Sequence, residues 1–136
     1  MSNYPFGIEL EVRDYECDIQ GIVNNAVYQN YLEHARHLFL LEHAIDFIAL
    51  SKAGADLVVT RAELDYLSPL RPGDRFYVGV RMERASRLRF VFLQDLYSLP
   101  EDKPVLKARI TFTVLNKAGR PILPKELEEL LENATH

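Results

Sequence analysis

The sequence has one cysteine, Cys17, so no internal disulfide can form and a reducing, cytoplasmic setting is the simplest reading. It has no apolar run near the roughly 20 residues that a membrane-spanning helix needs, so membrane insertion is not expected. Its first ten residues, MSNYPFGIEL, hold no basic stretch followed by an apolar one, which argues against a signal peptide. Positive charge is not in excess either. The formal net charge is -4, which leaves no electrostatic footprint for nucleic acid, although a local basic patch could still hold an anionic ligand. There is no internal repeat, low-complexity segment or dividing linker. The 136 residues are therefore expected to form a single domain over 1–136.

What is present is ordinary for a globular chain, with 48% apolar and 26% charged residues. Residues 8–13 alternate, with Ile8, Leu10 and Val12 on one face and Glu9, Glu11 and Arg13 on the other, the period of a half-buried strand. A polar loop follows over 14–24. From Asn25 the period changes: Val27, Tyr28, Tyr31, Leu32, Ala35, Leu38, Phe39 and Leu41 recur at helical spacing, with Gln29, Glu33, Arg36 and His37 on a narrower polar face. Asn24 or Asn25 can cap this helix. Residues 44–53 read as a short second helix or a bent continuation, stopped at Gly54.

Four more alternating runs follow, at 58–66, 76–83, 88–97 and 105–115, and Pro124 is suited to the first position of a C-terminal helix. In the 58–66 run, Val58, Ala62, Leu64 and Tyr66 are expected to share the inner face. Short turns imply antiparallel neighbours. Each strand has one apolar face, and only the helix over 25–43 is large enough to cover it. The expected architecture is α+β, a five-stranded antiparallel sheet curved round that helix. Tyr77, Val91 and Leu93 fall on the nominal outer face and suggest a subunit contact.

The loop carries the polar chemistry. On residue types alone, Asp18 organises a turn and Asn24-Asn25 caps the helix, since these residues are common in both roles. Cys17 reads as a small packed thiol. His34, His37 and His43 do not form a metal site: at roughly 100° per residue, His34 and His43 lie far apart round the helix.

The pattern Asp18-x-x-Gly21-x-Val23-Asn24-Asn25-x-x-Tyr28-x-x-Tyr31-Leu32-Glu33-x-Ala35-Arg36 resembles the hotdog-fold acyl-CoA thioesterases, in particular the 4-hydroxybenzoyl-CoA thioesterase-like family. Ala62-Glu63-Leu64-Asp65-Tyr66 with Pro69, Leu70-Arg71-Pro72-Gly73-Asp74 and Pro121-Ile122-Leu123-Pro124 extend the resemblance over nearly the whole chain. It implies a hotdog fold assembled as a homodimer or homotetramer, with active sites at the dimer interface. It also implies hydrolysis of an acyl thioester of coenzyme A or acyl carrier protein, with no metal and no redox cofactor. The loop has Ile22 and Gln20 where plant-type acyl carrier protein thioesterases have His and Asn, which leaves an Asp-centred mechanism.

On that resemblance Asp18 is the nucleophile or the general base. A backbone amide near Asn25 stabilises the oxyanion, with Asn24, Gly21 and Tyr28 shaping the site. If coenzyme A is the carrier, Arg84 and Arg87 are candidates for its phosphates. The alternative is a non-catalytic hotdog module that binds acyl thioesters. A dehydratase would need a His that this loop lacks.

Overall fold

A computed structural model describes residues 4–134, so the first three and last two residues of the expected 1–136 domain lie outside the described residues. In chain order the elements are β1 (Phe6–Glu11), α1 (Asn25–Glu42), α2 (Phe47–Lys52), β2 (Asp56–Tyr66), β3 (Arg75–Arg84), β4 (Phe90–Ser98), β5 (Lys103–Leu115), β6 (Pro121–Ile122) and α3 (Lys125–Ala134). A three-residue 3-10 turn at Asp14–Glu16 interrupts the first loop.

The sheet is antiparallel, in the order β1-β3-β4-β5-β2, with the two residues of β6 added on β5. The five strands expected from alternation are all present, and β6 is an addition too short to show a period. Helix α1 covers one face. Its buried residues are Tyr28, Tyr31, Leu32, Ala35, Phe39 and Leu40, the inward stripe of a 3.6-residue period. Phe39 meets Phe6 and Phe92 edge-on at 5.8 and 6.0 Å, and the Tyr31 ring lies 4.7 Å from Phe76. The helix therefore lies across β1, β3 and β4. Leu41, expected on the apolar stripe, is exposed instead.

Helix boundaries follow local chemistry. The Asn24 side chain caps α1 by accepting the Ala26 amide at 2.9 Å. Ala44 takes a positive φ of 60°, which separates α1 from α2, and Asp46 then caps α2. Pro124 precedes α3, its carbonyl accepting from the amides of Leu127 and Glu128.

One expectation about faces needs correction. In β2, Val59 pairs with Phe112 and Arg61 with Thr111, so Thr60 is a bulge. The bulge resets the alternation: Val59 shares the inner face with Ala62, Leu64 and Tyr66, and Val58, opposite Thr113, points the other way. On the outer face, Val91 is buried and Tyr77 and Leu93 are half-buried within the chain itself. A β-carbon on Gly79 would collide with the Tyr4 ring and one on Gly7 with Tyr77, so the missing side chains let those rings lie on the sheet. The Tyr4 hydroxyl donates to Asp95 there. Exposed apolar side chains gather instead on and just after edge strand β2: Val58 at 37%, Val59 at 48%, Tyr66 at 49% and Leu67 at 55%.

Candidate active site

The loop before α1 is stitched to its neighbours by backbone hydrogen bonds. The Val12 amide donates to the Asp74 carbonyl and the Gly73 amide to the Val12 carbonyl. The Val23 amide donates to the Leu70 carbonyl at 2.9 Å. Glu16 braces the loop against the helix: its Oε1 accepts from the Arg13 amide at 2.8 Å and from the Tyr31 hydroxyl at 2.9 Å.

Between these anchors the chain makes a small hairpin. Cys17 and Val23 form an antiparallel bridge, the Asp18 amide donates to the Ile22 carbonyl, and the Gly21 amide donates back to the Asp18 carbonyl. Gly21 has φ +76°, the left-handed conformation that a tight turn needs and that glycine adopts without a steric cost. Asp18 Oδ1 accepts the Gln20 amide at 2.9 Å, and Oδ2 has no hydrogen bond among the described residues. Asp18 is exposed and Ile19 stands fully exposed at the tip.

Asn25 opens the helix. Asn24 takes the Ala26 amide on its side chain and the Val27 amide on its carbonyl. The Asn25 amide has no acceptor among the described residues, so it is a free donor at the positive end of an 18-residue helix. Beside it lies an open cleft of about 220 Å³ between the helix start and the end of β2, with Val23, Asn25, Tyr28, Tyr66, Leu67 and Pro69 among its lining residues. Tyr28 is buried and meets Tyr31 and Tyr66 edge-on at 6.0 and 5.6 Å. Burial pushes its phenol up, which keeps it neutral.

Asn24, Asn25 and Tyr28 are thus brought together, with Gly21 and Asp18 in the adjoining hairpin. Asp18 does not line the Asn25 cleft within one protomer. Arg84 and Arg87 are not brought there either. The row through Arg84 is Phe90, Phe112 and Val59, whereas Tyr66 pairs with Leu106, itself opposite Leu96. Val59 and Tyr66 face Phe112 and Leu106, six residues apart on β5, so they are roughly 20 Å apart at about 3.4 Å per residue. The Arg84 guanidinium also donates to the carbonyls of Ser86 and Arg87, so it ties its own turn.

Desolvation and the carboxylates of Asp14, Asp18 and Glu16 hold the Cys17 thiol above its ordinary value, the opposite of what a nucleophilic thiolate requires. Among the described residues no group of three or more His, Cys, Asp or Glu side chains could hold a metal ion. No helix among them is long and apolar enough to cross a membrane.

Sequence reading missed two polar residues. Gln94 is fully buried on the inner face of β4 and holds Arg36. Its signal was there: it occupies the inward position between Phe92 and Leu96. Tyr66 was read as a core residue, yet it is half exposed and its hydroxyl reaches the Asn25 carbonyl at 3.5 Å.

A helix laid across a five-stranded antiparallel sheet is the hotdog fold of acyl thioesterases. Residues 12–133 match the model of the thioesterase-like superfamily, and the chain belongs to that family. An Arabidopsis thaliana chloroplastic acyl-acyl carrier protein thioesterase is 42% identical over 114 residues, covering 84% of this chain and 61% of that protein. The chain thus spans about three-fifths of that relative's length. A solved Aquifex aeolicus protein described as hypothetical is 33% identical, with a TM-score of 0.86 over 93% of this chain and 99% of that one. A Thermus thermophilus thioesterase solved with coenzyme A and Zn is 30% identical, with a TM-score of 0.84 over 98% and 96% of the two chains.

Proposed function

We propose that the chain, as a single hotdog domain, is an acyl thioester hydrolase that releases a carboxylic acid and a free thiol from acyl-coenzyme A or acyl carrier protein. The observation that carries this reading is the free Asn25 amide at the start of α1, beside the Asp18 hairpin. Family membership and the relatives' printed activities support it.

Two routes use the same groups. Asp18 attacks the acyl carbon, the thiolate leaves, and water hydrolyses the resulting mixed anhydride. Alternatively Asp18 takes a proton from water as that water attacks, and the tetrahedral intermediate expels the thiolate. In both, negative charge grows on the thioester oxygen, where the Asn25 amide and the helix dipole stabilise it. Gly21 lets the hairpin turn tightly, Asn24 keeps the first helical turn formed, and Tyr28 walls the cleft. No metal or redox cofactor takes part in this scheme.

The site is completed in a homodimer, alone or within a homotetramer. The support is β2, an eleven-residue edge strand with bare apolar side chains. Antiparallel pairing of β2 with its copy brings the partner subunit's Arg84–Arg87 turn toward the Asn25 end, where Arg87 is placed to meet coenzyme A phosphates. A cytoplasmic setting suits the unpaired Cys17.

One observation favours the alternative, a module that binds acyl thioesters without hydrolysing them: the exposed Asp18 does not line the cleft. Thiol release from a panel of acyl-coenzyme A and acyl carrier protein substrates separates the two. Hydrolysis that Asp18→Asn abolishes supports the enzyme, and no release from any substrate overturns it.

A further inference from the structure

A second cleft, of about 200 Å³, lies between α1, α2 and the inner face of the sheet. Its floor is the stacked pair Phe92 and Phe112, both buried, with ring centroids 4.8 Å apart. Its walls are Phe47 of α2 and the half-exposed Val59 of β2, and its rim carries Arg36 and His37. The His37 ring lies against Phe47, centroids 4.1 Å apart and tilted by 33°. The volume is below the roughly 300–1,000 Å³ of sites that take a drug-sized ligand, so the cleft suits an apolar chain and not a nucleotide.

Its position follows from register. Within one protomer it sits near Val59, at the far end of β2 from Tyr66 and the Asn25 amide. Antiparallel pairing of β2 with its own copy needs a two-fold axis normal to the sheet, which keeps both α1 helices on the same face. Full overlap of β2 places Tyr66 opposite the partner subunit's Asp56, so residues 57–59 of the partner run beside the Asn25 cleft. Strands pair at about 4.8 Å, so the partner's Phe47 cleft lies closer to this Asn25 amide than the cleft of the same chain does.

We propose that this second cleft receives the distal end of an aliphatic acyl chain whose thioester is bound at the partner subunit's helix start. Phe47 is then a determinant of acyl length, acting in trans. This assignment rests on the acyl thioester reading above.

The test uses the full chain and Phe47→Trp, which narrows the cleft. Across acetyl- to dodecanoyl-coenzyme A, the kcat/KM of this variant falls at least tenfold more for octanoyl and longer esters than for acetyl. A loss equal at every length overturns the assignment. Mixing Asp18→Asn with Phe47→Trp tests the trans arrangement. Random reassociation makes about half of the dimers mixed, and one site of each joins an intact Asp18 to an intact cleft, so about one-quarter of octanoyl turnover returns. No recovery overturns it.

A third readout does not depend on turnover. The sequence has no tryptophan, so Phe47→Trp in the Asp18→Asn background introduces the sole indole. With octanoyl-pantetheine, the fragment common to both carriers, raised to concentrations that offset the weaker binding in the narrowed cleft, its emission shifts to the blue, and with acetyl-pantetheine at the same concentrations it does not. An unchanged spectrum overturns the cleft assignment. A shift in a protein whose wild type hydrolyses nothing overturns the enzyme reading alone.

Discussion

The guanidinium of Arg36 donates to Gln94 Oε1 at 3.1 Å, while Gln94 Nε2 donates to the Leu32 carbonyl at 2.9 Å. Gln94 is fully buried, so this one amide ties the middle of α1 to the middle of β4 through an otherwise apolar layer. Burial holds the Arg36 guanidinium below its ordinary value, with the Glu33 carboxylate opposing that shift, which makes a hydrogen-bond partner for the arginine necessary.

Gln94→Leu strands that guanidinium and costs about 1–3 kcal/mol of stability, read as a lower urea midpoint. In Arg36→Met/Gln94→Leu the second change costs less than it does alone, a coupling of about 1 kcal/mol. Strict additivity in the double-mutant cycle would contradict the tie.

Asp18→Asn lowers kcat on a cleaved acyl thioester by about 10²–10⁴, the usual contribution of a positioned acid-base group. The thermal midpoint moves little, because asparagine can still accept the Gln20 amide. Turnover near wild type would remove Asp18 from the chemistry.

Asn24→Ala removes the α1 cap and costs about 1 kcal/mol. For a chain of this length that is roughly 3–5 °C in Tm. Turnover falls as well, because the same first turn presents the Asn25 amide. Asn25→Ala, which keeps that amide, holds more activity than Asn24→Ala. The reverse order would assign the chemistry to the Asn25 side chain.

His37 gives a pH dependence. Burial lowers it below its ordinary 6.5, with Arg36 and His34 adding to the effect and Glu33 opposing it. The folded state therefore prefers the neutral ring, and between the depressed value and 6.5 the unfolded chain binds more protons. That contribution is fully present above about pH 6.5 and is lost as the pH falls below it. Tm declines between pH 7 and 5, and His37→Gln declines less over that range. An identical slope in the variant would show that His37 is not involved.

A charge on the edge of β2 tests assembly. Val58→Lys places a cation on the exposed strand that is proposed to pair with its copy, and sedimentation then shifts toward monomer, with thioester turnover falling in parallel. An unchanged assembly would move the interface elsewhere.

Much of this was legible before any coordinates. Alternation in Phe76, Val78, Val80 and Met82, and in Leu106, Ala108, Ile110, Phe112 and Val114, is strict, and those residues are all buried. The Asp18–Gly21 turn and the cap at Asn24 follow from local backbone needs, which sequence reports well. The inner face of early β2 was misread because a bulge breaks a period of two without leaving a mark in residue type. Gln94 was overlooked because hydrophobic pattern rules skip a polar residue that is buried for its partners. Tyr77 lies on the outer face as expected, and its partial burial was not legible because the room for its ring is set by Gly7, far away in the chain.

The bulge at Thr60 also divides β2 into two segments with separate parity. Side chains at 56–59 can change in size without moving Ala62, Leu64 and Tyr66, which lie beyond the bulge. Deleting Thr60 would remove the bulge and make the alternation strict, with Leu57 and Val59 still inward, Val58 still outward and the half beside Asn25 in phase. The strand is therefore modular: sequence drift before position 60 alters what the far cleft accepts, and the helix start keeps its own geometry.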